Sequence, residues 1–179
     1  RRKARRLAVE VSSLETRSLL SATAVGPEVR VNTHTSLSQQ FSDVAIDADG
    51  DYVVVWESDG QDGEVKGVFG RRYDFAGVPQ GSEFQVNTTT TSFQRHAVAA
   101  MDADGNFVIA WESVNQDEGG AGIFARRYDS AGTPVSGEFQ VNTYTVNWQS
   151  DPAIAMNPDG DFVIAWASLA SAEDFTGRV

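Results

Sequence analysis

A chain of 179 residues with 41% apolar residues is long enough to build a core of its own, and its net charge of −11 disfavours nucleic acid and anionic lipid as partners. The absence of cysteine excludes disulfides, thiol catalysis and cysteine-ligated zinc, and no apolar run approaches the roughly 18 residues that a membrane-spanning helix needs. The charge is uneven. Arg1, Arg2, Lys3, Arg5, Arg6 and Arg17 outweigh Glu10 and Glu15, so the first 24 residues carry +4 and the acidic remainder −15.

Residues 1–27 share nothing with the rest of the chain and read as a basic, non-globular segment, disordered or weakly helical. An ordinary secretory signal needs about 7–15 consecutive apolar residues, and this stretch has none. Its Leu14-Glu15-Thr16-Arg17-Ser18-Leu19-Leu20, with basic residues upstream, resembles the LEPR-XLL leader of large exported proteins of planctomycete-type bacteria. Thr16 stands where that family carries proline. The resemblance implies export or display at a bacterial cell surface, not an activity.

From Glu28 onward the chain repeats every 55 residues: Glu28, Glu83 and Glu138 open three copies, residues 28–82, 83–137 and 138–179. Val31-Asn32-Thr33 returns at 86–88 and 141–143, Trp56 as Trp111 and Trp166, and Arg71-Arg72-Tyr73-Asp74 as Arg126-Arg127-Tyr128-Asp129. A period of this kind means one supersecondary unit per copy, stacked on its neighbours. The third copy ends before its third strand, and the sequence reads as a fragment of a longer protein. Beyond the leader, the copies resemble uncharacterised tandem repeats of large extracellular bacterial proteins, a resemblance that carries no assigned activity.

Within a copy, four short stretches rich in β-branched and aromatic residues, bounded by Gly, Asp and Asn, predict strands. Taken from residue 44 onward, one set of four is 44–46, 52–56, 68–73 and 84–88. The first carries small alanines that permit close approach, and the second is apolar on both faces, as a strand between two packed sheets must be. The fourth alternates, with Gln85 and Asn87 expected on a wet face. Four-stranded antiparallel units of this kind predict an all-β fold of tandem blades, part of a β-propeller. Its period excludes immunoglobulin-like units, which need about 100 residues.

The acidic loops between the first two strands are the candidate metal site. Asp47-Ala48-Asp49-Gly50-Asp51 returns as Asp102-Ala103-Asp104-Gly105-Asn106 and Asn157-Pro158-Asp159-Gly160-Asp161. Alternating oxygen donors suit calcium, with Asp47, Asp49, Asp51, Asp102, Asp104, Asp159 and Asp161 as ligands. The same residues also obey the grammar of a type I turn, which accounts for them with no cofactor. The Gln61-Asp62-Gly63 and Gln116-Asp117 loops are candidate recognition loops. The paired arginines are expected to tie neighbouring blades together through acidic residues, a carboxylate-bearing ligand being the alternative.

Trp56, Trp111 and Trp166 are expected in the core, Trp148 matches no repeated position, and His34 and His96 occupy different repeat positions. No nucleophile–base–orienter set emerges, and repeated carboxylates do not make the asymmetric pair that glycoside hydrolysis requires. The sequence therefore predicts a non-catalytic exported or surface protein that binds an unknown extracellular ligand, protein or carbohydrate. A calcium-stabilised adhesin and the scaffold of a larger carbohydrate-active enzyme are the alternatives.

Overall fold

A computed structural model describes residues 28–117 and 119–169. The leader resemblance and the end of the third copy lie outside these residues. Ten strands and no helix occur among the described residues. β1 (Gln39–Ile46), β2 (Tyr52–Asp59), β3 (Lys66–Tyr73) and β4 (Phe84–Gln85) form an antiparallel sheet in sequential order. β5 (Gln94–Met101), β6 (Phe107–Val114), β7 (Gly120–Tyr128) and β8 (Phe139–Gln140) repeat it 55 residues on. β9 (Asn147–Met156) and β10 (Phe162–Leu169) begin a third unit. A short parallel pairing of β7 with β9 joins the third unit to the second sheet, at Ala121 and Trp148. Its counterpart between the first two units is the parallel bridge of Lys66 with Phe93. Among the described residues neither sheet closes on itself.

The units stack face to face. Along β2, Val53 and Val55 point toward the second unit and meet Phe107, Ile109 and Trp111 of β6 in one buried cluster. On the opposite face of β6, Val108 and Ala110 meet Phe162 and Ile164 of β10. β6 is buried along its whole length, the predicted outcome for a strand apolar on both sides. Ala45, Ala97 and Ala99 let the first strands of adjacent units approach closely, and all three are buried. Truncating Trp111 in so tight a core would cost about 3–5 kcal/mol.

The sheets and the sequence copies are out of phase. The fourth strand of each sheet comes from the residues that open the next copy, so position 83 lies inside a sheet rather than between units. The first strands also begin earlier than expected, at Gln39 rather than residue 44. Polar residues ahead of a β-bulge hide them, because the bulge breaks the period-two pattern.

The fourth strand departs from expectation as well. Asn87 is buried, not wet: its Oδ1 accepts the Val68 N–H at 2.8 Å while its Nδ2 donates to Thr89 O. Asn142 does the same for Ile123 N–H at 2.7 Å and Tyr144 O. The strand ladder is only two residues long, and the asparagine side chain supplies the next acceptor in place of a main-chain carbonyl. Replacing Asn142 with Ala strands a buried amide and is expected to lower unfolding free energy by about 1–3 kcal/mol, read as a fall in urea midpoint at unchanged slope.

Tyr128 stacks on Phe107, ring centroids 4.8 Å apart, and its buried hydroxyl has no hydrogen-bond partner among the described residues. Burial pushes its phenol up to about 12, against the opposing pull of Arg126. The unfolded chain would ionise near 10, so this stabilisation is complete below that pH and is lost as pH rises toward 12. Tyr128→Phe should flatten the fall in melting temperature between pH 10 and 12 while leaving neutral stability unharmed.

Candidate functional site

Each β1–β2 connection is a three-residue hairpin loop. Asp47 N–H bonds to Asp51 O, Gly50 takes φ of 93°, and the pattern recurs at Gly105 and Gly160. Asp47 Oδ1 accepts the N–H groups of Asp49 and Asp51, both at 2.9 Å. Asp102 does the same for Asp104 and Asn106, and Asn157 for Asp159 and Asp161. The first carboxylate of each loop is thus committed to its own turn. An asparagine performs this role equally well in the third copy.

The turns of neighbouring units lie side by side and leave two equivalent clefts of about 340 and 350 Å³. The first brings together Asp47, Asp49, Asp51 and Asp104 with Arg72, and the second Asp102 and Asp159 with Asp129 and Arg127. Asp161 lies outside both, and its carboxylate accepts from Asn157 Nδ2 at 3.2 Å. Among the described residues no group of three or more His, Asp or Glu is placed to hold a metal ion.

The arginines tie units together, but through main-chain carbonyls. Arg126 Nη1 bonds to Val86 O in the preceding sheet, Arg71 Nη1 to Val31 O, and Arg72 Nη1 to Ala131 O in the following unit. Among the described residues none of the four forms an ion pair. Short fourth strands leave carbonyls without ladder partners, and the guanidinium donors satisfy them. The loops expected to recognise a ligand are likewise used internally. Gln61 and Gln116 bond to Glu83 and Glu138, and Gln85 and Gln140 to Asp62 and Asp117. Trp56 and Trp111 are buried as predicted, and Trp166 is partly exposed at 38%.

The repeated frame carries different chemistry at two left-handed positions, the first being Leu37, Ser92 and Asn147, with φ of 59°, 70° and 64°. Phe41, His96 and Asp151 are 55 residues apart, sit at the bulges of β1, β5 and β9, and hold φ of 51°, 51° and 52°. A left-handed conformation costs a non-glycine residue roughly 1–2 kcal/mol, so three in register mark a built feature. Their side chains adjoin: the Phe41 and His96 rings meet edge to face at 5.6 Å, and His96 Nδ1 lies 3.6 Å from Asp151 Oδ1.

Beneath this row lie Glu57 and Glu112, equivalent in the repeat and both fully buried. Glu57 Oε1 accepts the bulged His96 N–H at 2.7 Å, and its Oε2 meets Lys66 Nζ at 3.0 Å. Glu112 Oε1 accepts from Nε and Nη2 of Arg95, and its Oε2 lies 3.2 Å from His96 Nδ1. Every oxygen of the two carboxylates is engaged, which is what keeps buried charge tolerable. Arg95 also covers the Trp148 ring at 5.5 Å, and Trp148 does have a repeat counterpart, Phe93. Residue patterns do not reveal this cluster, because bulge positions share geometry and not residue type.

No family model matches the chain, and no curated protein matches it. Among solved structures, it is similar to an endo-arabinase from Bacteroides thetaiotaomicron VPI-5482, at 12% identity and a TM-score of 0.48 over 72% of this chain. The likeness covers half of that enzyme's length.

With their leading carboxylate spent on the turn, the acidic loops should respond to mutation but not to metal. Asp102→Ala is expected to cost about 1–2 kcal/mol, equally in calcium and in chelator. A calcium-dependent rise in melting temperature that this substitution removes would instead establish a metal site there.

Proposed function

We propose that this chain is a piece of a β-propeller-like array that binds an extracellular ligand, protein or carbohydrate, without catalysis. The observation that carries the reading is the bulge row. A frame repeated strand for strand presents Phe41, His96 and Asp151 at one position, with Phe41 and Asp151 exposed and His96 partly so. Binding surfaces on repeat scaffolds arise this way, by varying side chains over constant backbone. Non-catalytic use is supported by Glu57 and Glu112, whose oxygens are all occupied by protein donors and so are not directed at a substrate.

The blade reading is supported by the antiparallel order of β1–β4 and its recurrence in β5–β8, the face-to-face stacking and the recurring parallel bridge. Export and surface display rest on the leader resemblance, and an acidic repeat region accords with a partner other than nucleic acid.

Screening the chain against glycan and extracellular-matrix protein arrays tests this reading. Replacing Phe41 and Asp151 with Ala together, with His96 kept as the partner of buried Glu112, should weaken the strongest hit at least tenfold at unchanged melting temperature. Undiminished binding would remove the row from the function. Hydrolysis of an arrayed glycan, lost on Glu112→Gln, would overturn the non-catalytic assignment.

A further inference from the structure

Lys66 holds an amine against two carboxylates at the joint between the first two units. We propose that Lys66 and Asp59 condense into a side-chain amide, a cross-link between β2 and β3, with Glu57 moving the proton. The bond forms with or without a ligand on the bulge row, and so goes beyond the binding reading.

Asp59 and Lys66 are directly opposed across β2 and β3, and Glu57 lies on the same face of β2. Lys66 Nζ is 3.0 Å from Glu57 Oε2 and 3.7 Å from Asp59 Oδ1. Glu57 is fully buried, and its other oxygen is fixed by the bulged His96 N–H at 2.7 Å. The Lys66 side chain keeps 17% exposure, and the Phe41 ring centroid lies 5.9 Å from its Nζ.

Charge balance alone does not account for Asp59. One ammonium is enough for Glu57, yet Asp59 adds a second carboxylate. Its Oδ1 is closed to solvent and has no hydrogen-bond partner among the described residues. Such an oxygen is costly to keep as an anion. In the second unit the same strand pair is Val114 with Ala121, and buried Glu112 is met by Arg95 of β5 instead. The aspartate and the lysine are thus present together or absent together, while the buried glutamate stays. A guanidinium such as that of Arg95 holds its charge, whereas a lysine can give up a proton and attack.

Glu57 Oε2 is within reach to take a proton from the ammonium, which frees the nitrogen lone pair. Nζ then bonds to Asp59 Cγ, and one C–O bond of the adduct breaks. The departing oxygen takes the proton carried by Glu57 and a second from the nitrogen, and leaves as water. An ammonium and a carboxylate go in; a neutral amide and one water come out. No oxidant, reductant or cofactor is consumed. Glu57 ends as the carboxylate it was, accepting the new amide N–H where it held the ammonium. The fold supplies the proximity that a free amine and acid lack.

Intact-mass spectrometry of the full 179-residue chain tests this. The chain should be lighter than its sequence by one water, and cleavage after Glu64 should leave residues 59 and 66 on one branched fragment. A chain of full mass overturns the proposal. Asp59 precedes Gly60, and an Asp-Gly pair can also lose water by closing on its own backbone. A dehydrated fragment that is linear therefore overturns the cross-link too. Lys66→Arg keeps a cation opposite Glu57 without a competent nucleophile, and should retain the full mass of its sequence; loss of water there counts against the proposal. Glu57→Gln should lower the joined fraction at least tenfold, and joining as complete as in the parent overturns the assigned base. Should that variant fail to fold, Asp59→Ala leaves the Lys66–Glu57 pair in place and must show neither water loss nor a branched fragment.

Discussion

The structure depends on the burial of the second strand of each unit from both sides. A sheet whose central strand is apolar on two faces cannot stand as one layer in water; it is half of two cores at once. β6 shows the completed state, with Phe107, Ile109 and Trp111 facing one neighbour and Val108 and Ala110 the other. The connecting devices serve this stacking. Arg72 and Arg126 reach across joints to carbonyls, and Thr88 donates both its N–H and its hydroxyl to Glu138 in the following copy. Stability is thus expected to track nearest-neighbour joints more than any property of a single unit.

Polar groups inside the joints obey the same constraint. Gln94 and Gln149 are fully buried at equivalent positions and donate to the carbonyls of Thr91 and Val146. Asn87 and Asn142 close the short fourth strands. Side chains do here what a longer ladder would otherwise do, which allows the strands to be short and the turns tight.

Legible in the sequence is whatever repeats in residue type. The period, the strand order within a unit, the doubly apolar second strand and the buried Trp56 and Trp111 all come from recurrence and alternation. The turn reading of the acidic loops comes from Asn157-Pro158-Asp159-Gly160, where a proline and an asparagine fit a turn better than a cation site. Asn87 defeats the pattern because alternation assigns a face but cannot see a side chain standing in for backbone. Glu57 and Glu112 recur in the sequence, yet nothing local marks them as buried: their partners come from β3, β5 and the bulges. Phe41, His96 and Asp151 are the least legible, since they share only a φ angle.

That illegibility bears on where function resides. Positions that keep one residue type through the copies are explained by packing, turns or joints, and such explanations leave no freedom for recognition. The bulge position is held in geometry by a strand irregularity, and in the second unit by Glu57 from the first. Its backbone is therefore fixed independently of residue type, and the side chain is free to differ, as Phe41, His96 and Asp151 do. A polar residue at that site also sits over buried charge: His96 stands between Glu112 below and Asp151 beside it, with Arg95 turned toward Trp148. A ligand laid along the row would meet an aromatic ring, an imidazole and a carboxylate in succession, on three strands that the joints hold at fixed spacing. Rigid placement of unlike groups is what specificity requires, because ordering them on binding would otherwise consume part of the affinity.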